Sequence, residues 1–412
     1  MIGELTKSIM RLPWDLSTTG LGMLTKRVLP NENPEDRIGH LLQGAIAASD
    51  RLSPGTSLDL VRQAIQTVDS MIPGAENHLV LQEFQNKLQA FGVFEYVESV
   101  IDQKPGYGVT LPELVDRAQA LEPYDAVWAT EGCGHLYANR CFSEDRLPKN
   151  LLQEEHLSVL PGSSLITLHA GMGLSFATHV LNSLPLQSSR QEIREALHRF
   201  IAMCRQNSRE GYTEIALEAL GLVARTMHPR LVPLIDHELS DIDLDILSLF
   251  WHGIGRGLYF LPINFVPHFG SAGRAIEMAQ TEAPHGLGRR NAIAGIAWPL
   301  TLVNIRHPQI MNLFLSTHHR LISDNDSFSQ GVSTALITWL DSAPNDPSLK
   351  AFRDYRPEDE DAGDVARWEE FVAGPSESAI REYYPKIKKE WRLGELFRYQ
   401  SIVRITAQIE QA

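Results

Sequence analysis

The sequence predicts an all-α protein made of about six repeated helical hairpins, closing into an α/α toroid or, if the ring stays open, an α-solenoid. Three observations lead there. Apolar residues recur at helical spacing while no comparable run alternates with period two, a glycine motif recurs every ~40 residues, and Pro and Gly punctuation cuts the chain into short segments.

Each element follows from a local reason. The N-terminus, "MIGELTKSIMRLPWDL", has no continuous apolar stretch of the kind a signal peptide carries, so it is expected to dock on the body as a short amphipathic segment. Residues 1–342 are expected to form the helical-repeat domain, with the repeats strongest over 131–342. "EGCG" at Glu131, "AGMG" at Ala170, "EGYT" at Glu210, "HGIG" at His252, "HGLG" at His285 and "QGVS" at Gln330 share one pattern, and "QGAI" at Gln43 is a weaker earlier match. Their first glycines, Gly132, Gly171, Gly211, Gly253, Gly286 and Gly331, are spaced by 39, 40, 42, 33 and 45 residues, enough for one helical hairpin per unit.

Aligned on that glycine, the six copies carry an apolar or aromatic residue one position on (Cys133, Met172, Tyr212, Ile254, Leu287, Val332). Two positions on they carry a small residue (Gly134, Gly173, Thr213, Gly255, Gly288, Ser333). Small residues in the first turn of each motif helix would let a neighbouring backbone approach closely. That is a better account of the glycines than phosphate binding, because no strand precedes them. Below that turn the motif helices are apolar on two sides, which places them in an inner layer. More amphipathic helices fall between them. "REALHRFIAMC" puts Leu197, Phe200, Ile201 and Cys204 on one stripe, as an outer layer requires. Residues 343–364 read as an acidic loop or linker, and residues 365–412 as a C-terminal helical segment packed on the main domain and interrupted at Pro385.

Composition narrows the function classes. The chain has 412 residues, 43% of them apolar, and a net charge of −14, which repels nucleic acid and anionic membranes. Cys133, Cys141 and Cys204 show no CxxC spacing, so neither a disulfide framework nor a thiolate zinc site is expected, and a reducing cytoplasm suits them. The longest uncharged apolar-rich run, Asn291 to Ile305, falls short of the ~20 residues that a membrane span requires.

Closure of the ring would gather the motif turns at one mouth around an apolar pit, the usual form of a small-molecule site. Glu131, His135, Glu210, His252 and His285 are the candidate acids and bases, since desolvation tunes Glu and His towards neutral pH. His169, Arg256 and Arg289 are expected to hold polar parts of a substrate, with Phe142 and Ile263 continuing the apolar wall. A sharper version makes Glu131 with His135 and Glu210 with Glu214 ligands of iron, manganese or zinc; ordinary ion pairing is the alternative. There is no G-x-S-x-G elbow, and Cys133 lies on a buried column, so nucleophilic catalysis has little support.

The motifs "IMRLPWDLSTTGLGML", "LLQGAIAA", "TEGCGHLYA", "LHAGMGLSFA", "REGYTEIA", "WHGIGRGLYF" and "SQGVSTALITW" together resemble a family of unassigned function encoded in enediyne and other polyketide gene clusters. The likeness spans roughly residues 10–340, with Gly253, Gly255, Arg256, Leu258 and Phe260 its most specific part, and departs from the family pattern at "EGYTEIA". The resemblance implies a biosynthetic setting and an elongated polyketide or polyene client. Two functions are therefore expected: an enzyme that cyclises, isomerises or oxidises such a client, or a non-catalytic carrier, chaperone or scaffold working with biosynthetic partner proteins.

Overall fold

Helices account for most of the described residues. In the computed structural model the described residues are 75–95, 97, 109–143, 147–153, 158–185, 187–265, 270–358 and 362–400. The expected N-terminal docking helix, the Gln43 match and residues 401–412 lie outside them. The architecture is all-α, with no strand among the described residues.

The helices are α1 (Ala75–Glu95), α2 (Leu111–Gln119), α3 (Pro123–Ser143), α4 (Leu165–Asn182), α5 (Arg190–Asn207), α6 (Thr213–Met227), α7 (Val232–Ile242) and α8 (Leu244–Tyr259). They continue with α9 (Ser271–Glu282), α10 (Gly286–Val303), α11 (Pro308–His318), α12 (Ser327–Ser342) and α13 (Pro347–Asp354). Side chains fix several starts. Ser189 and Glu192 form a capping box on α5, Asp243 accepts from the first amides of α8, and the His285 ring accepts from Gly288 on α10. On α5 the stripe read from the sequence, Leu197, Phe200, Ile201 and Cys204, is buried while its opposite face is exposed.

Two layers result. Helices α3, α4, α6, α8, α10 and α12 pack on one another in that order, and α12 also touches α4. The amphipathic α5, α7 and α9 pack against members of that series. The apolar stretch Gly162–Asn182, long enough by composition to cross a membrane, is almost wholly buried among these neighbours.

The seams between inner helices rest on backbone against backbone. A Cβ at Gly171 would stand 1.9 Å from the Glu131 carbonyl oxygen, at Gly253 2.1 Å from that of Glu218, at Gly295 2.0 Å from that of His252, and at Gly331 2.3 Å from that of Ala294. The second glycine of each motif faces the other way. A Cβ at Gly134, Gly173, Gly221 or Gly255 would meet the carbonyl oxygen of Leu168, Ala216, Phe250 or Ala292 on the next helix, at 2.3, 2.3, 1.9 and 2.1 Å. On α4 and on α8, one glycine thus faces the preceding helix and one the following helix.

This ladder corrects the repeat register in two units. The third unit is Glu218-Ala219-Leu220-Gly221 and the fifth is Ala294-Gly295-Ile296-Ala297, not the stretches at Glu210 and His285. Gly211 lies in the turn before α6 with φ +79°, and Gly286 opens α10 with no atom close to it. It also moves the motifs along their helices. Gly132, Gly171, Gly253 and Gly331 lie inside α3, α4, α8 and α12, not in their first turns, because the seam needs close approach where the helices cross.

The acidic linker expected over 343–364 contains α13, started by Pro347 and capped by Asp346. Beyond it, helical segments Ala362–Trp368, Gly374–Ser378 and Tyr384–Lys389 are joined through the π-helical turns Glu369–Ala373 and Ala379–Tyr383. The chain therefore passes Pro375 and Pro385 without breaking, as wide π turns absorb the missing amide donors. The segment Leu393–Phe397 then folds back on α6 and α12.

Candidate functional site

In the corrected register, the residue before the first small position is Glu131, Ala170, Glu218, His252, Ala294 or Gln330, and the residue three after it is His135, Leu174, Leu222, Arg256, Trp298 or Thr334. These two columns share a helix face. They bring together a buried charged cluster that spans helices distant in sequence.

Arg256 on α8 is its centre. Its Nη1 donates to Glu218 Oε2 of α6 at 2.8 Å and its Nη2 to Glu131 Oε1 of α3 at 3.4 Å, while its guanidinium lies 4.6 Å from the centroid of the Trp298 ring. One turn earlier, His252 Nδ1 faces Glu218 Oε1 at 2.9 Å. His252 and Glu218 are 0% exposed, Arg256 3% and Glu131 5%. His252 Nε2 and Arg256 Nε have no hydrogen-bond partner. Phe397, from the C-terminal segment, packs against both the His252 and Trp298 rings and closes this end.

Electrostatics follow from one cation facing two carboxylates. Burial pushes the Glu131 carboxyl above the usual carboxylate range; Arg256 opposes that rise, and the charge of Glu218 adds to it. Burial alone would depress the Arg256 guanidinium, but Glu218 and then Glu131 hold it above its ordinary value.

Glu131 and Arg256 also line a partly open pocket between α1, α3, α4, α6 and α8, with about 60 Å³ of free space. Its remaining wall is nearly all apolar: Phe91 and Phe94 of α1, Trp128 of α3, Leu174 of α4, Leu222 and Met227 of α6, and Phe260 beyond α8. Of the residues singled out in the sequence, Glu131, His252 and Arg256 therefore meet in one place.

The others do not join them. His135 is half-buried one turn along α3, within reach of Asn139 and beside Phe94, and burial pulls its imidazole down to about 4. His169 is fully buried, with Nδ1–H donating to the Leu165 carbonyl at 2.7 Å, Nε2 accepting from the Arg209 amide at 3.0 Å, and its ring stacked on Tyr212. Burial pulls His169 down to about 3, so it is a neutral pin between α4 and the turn before α6. His285 caps α10 and reaches Asp236 at 3.0 Å through Nε2. Glu210 is exposed in that turn, Glu214 lies half-buried against Gly394, and Arg289 is exposed. Phe142 stacks on His179 at the far end of α3 and Ile263 is 42% exposed, so the cavity wall is drawn from other residues. Glu131, His135, Glu210 and Glu214 do not converge as ligands; among the described residues no group of three or more His, Cys, Asp or Glu is arranged to hold a metal ion.

Sequence reasoning missed Glu218, which holds the cluster together, and Trp298, which supports Arg256. A second buried network sits at the α1 end. Lys87 Nζ pairs with Glu83 at 2.9 Å and donates to the Asn264 carbonyl at 2.8 Å, and Tyr259 donates to Glu83 at 2.7 Å. Its donors are spent on one another, which suits a structural tie between α1 and α8. No protein-family model, no curated protein and no solved structure matches the chain.

Proposed function

We propose that this protein is an enzyme of natural-product assembly that binds an elongated, apolar, unsaturated molecule in the cavity beside Glu131 and Arg256 and acts on it by proton transfer. The observation that carries this reading is a partly open apolar pocket whose wall includes a buried carboxyl and its buried guanidinium partner. A cavity with apolar walls and few polar groups selects by shape and apolar area, and its polar groups act on whatever lies beside them. The polyketide or polyene character of the client comes from the resemblance in the motif series, and it suits walls of Phe91, Phe94, Trp128 and Phe260.

The same reading has the six hairpins closing into a toroid. Support comes from the contact of α12 with α4, from Tyr124 of α3 donating to the Val303 carbonyl at the end of α10, and from Arg256 reaching Glu131 across the interior.

The test uses 1,6-diphenylhexatriene, an apolar conjugated rod that accepts excitation energy from tryptophan. Saturable binding with energy transfer from Trp128 is expected, and Leu222→Trp, which fills the cavity, should abolish it. Binding that is absent from the wild type, or indifferent to Leu222→Trp and Leu174→Trp, would overturn the reading.

A further inference from the structure

We infer that Glu131 is held as a neutral carboxylic acid at the edge of an aromatic collar, and that it protonates an acyclic polyene lying in the cavity to start a cationic ring closure. This rests on the reading of the cavity as an apolar-ligand site.

The assignment of the proton comes from counting donors. Glu218 receives Arg256 at 2.8 Å and faces His252 at 2.9 Å, whereas Glu131 has Arg256 alone, at 3.4 Å. Two ionised carboxylates on one buried guanidinium would leave a net charge out of water, which is costly enough that a group neutralises instead. The carboxylate with the fewest donors is therefore the one that takes the proton, and burial next to Glu218 acts on Glu131 in the same direction. Arg256, fixed by Glu218 and by the Trp298 face, remains beside Glu131 to receive the carboxylate once the proton has left.

The wall that this acid shares is largely aromatic. Phe91 packs edge-on against Phe260 at 4.8 Å, and Phe94 and Trp128 line the same space. Aromatic faces attract a cation and do not react with it as a buried nucleophile would. The step balances within the substrate. The Glu131 O–H bond breaks and its proton forms a C–H bond at one alkene carbon, whose π pair leaves the other carbon cationic. The π pair of a second double bond closes the ring. A carbon next to the final cation returns a proton to the Glu131 carboxylate, so the product is an isomer of the substrate and no oxidant or reductant is needed.

Two measurements on the full chain test this without knowing the natural substrate. Infrared difference spectra of wild type against Glu131→Gln at neutral pH should show the carbonyl stretch of a protonated carboxylic acid, deuterium-sensitive and lost in the variant. In parallel, dodecyltrimethylammonium, whose head mimics a tertiary carbocation, should displace diphenylhexatriene, and Phe94→Leu with Phe260→Leu should weaken that competition about tenfold. No protonated-acid band assignable to Glu131, or an ammonium that fails to compete or competes equally in the leucine variant, would overturn the proposal. Retained diphenylhexatriene binding in those cases would leave the binding function standing, whereas loss of that binding in the wild type would remove both.

Discussion

Gly253→Ala puts the packing of the inner layer to a quantitative test. The added Cβ would lie 2.1 Å from the Glu218 carbonyl oxygen and 2.9 Å from the Leu222 amide nitrogen, and both are backbone atoms that no rotamer can move aside. Real Cβ contacts essentially never fall below 3.0 Å, so α6 and α8 must part locally by about 0.9 Å, the difference between 3.0 and 2.1 Å. A gap of that size forfeits about a quarter to a half of each dispersion contact along the seam. Overpacking of this kind costs about 1–3 kcal/mol. The same movement stretches the contacts that Glu218 makes with Arg256 and His252, adding about 1–3 kcal/mol for hydrogen bonds to a charged group. Helix propensity returns about 1 kcal/mol. The net expectation is a loss of about 1–5 kcal/mol, a large share of the stability of an ordinary domain.

Gly286→Ala is the control, because a Cβ there would meet nothing within 4 Å and the residue opens α10. It should be neutral or stabilising by up to about 1 kcal/mol. Urea unfolding followed by circular dichroism gives both values. If Gly253→Ala lies within about 0.5 kcal/mol of Gly286→Ala, the backbone seam between α6 and α8 is not as close as described.

Two further outcomes follow from the buried charges. Arg256→Met leaves Glu218 and Glu131 without their cation and should cost about 3–5 kcal/mol, while Arg256→Met with Glu218→Gln should cost less than the sum of the two single changes by about 1–3 kcal/mol; strict additivity in urea unfolding would deny the coupling. His169 has its folded pKa lowered to about 3 from 6.5, so the unfolded chain binds the extra proton first and stability falls as pH drops through the interval between those values. By about pH 5 this removes about 2 kcal/mol relative to neutral pH, so the stability gap between wild type and His169→Asn should narrow by that amount on acidification, and a constant gap would refute the neutral buried ring.

The all-α class and the hairpin rhythm were legible because burial leaves a periodic trace: the stripe of Leu197, Phe200, Ile201 and Cys204 marks an outer helix, and the apolar flanks of Gly171 and Gly253 mark inner ones. Four of the six units were read in the right register, since Gly132, Gly171, Gly253 and Gly331 occupy the seams themselves. Two were misread for one physical reason. Buried Ala219 and Ala297 stand at positions where a glycine pattern looks for glycine, while Gly211 and Gly286 answer the separate demands of a left-handed turn and a helix start. The shift of eight residues, from Glu210 to Glu218, was enough to replace the central carboxylate of the cluster with one exposed in a turn. His169 was drawn to the site by residue type and His285 by the misplaced fifth repeat, and only hydrogen-bond geometry shows His169 engaged by backbone and His285 committed to a cap.

The glycines and the charges form one construction. The carbonyl against which Gly253 rests belongs to Glu218, and the carbonyl against which Gly171 rests belongs to Glu131, so each buried carboxylate hangs from a backbone position fixed by its neighbour's glycine. Helices spaced by larger side chains stand about 8–10 Å apart and can adjust as rotamers change. A backbone seam has no such freedom. Arg256 makes contacts of 2.8 Å and 3.4 Å to carboxylates on two different helices, a geometry that tolerates little sliding of either. Gly171→Ala should therefore displace Glu131, the more weakly held partner, before it disturbs Glu218. Glycine's cost of about 1 kcal/mol per helical position is thus set against the placement of two carboxylates around a single buried cation.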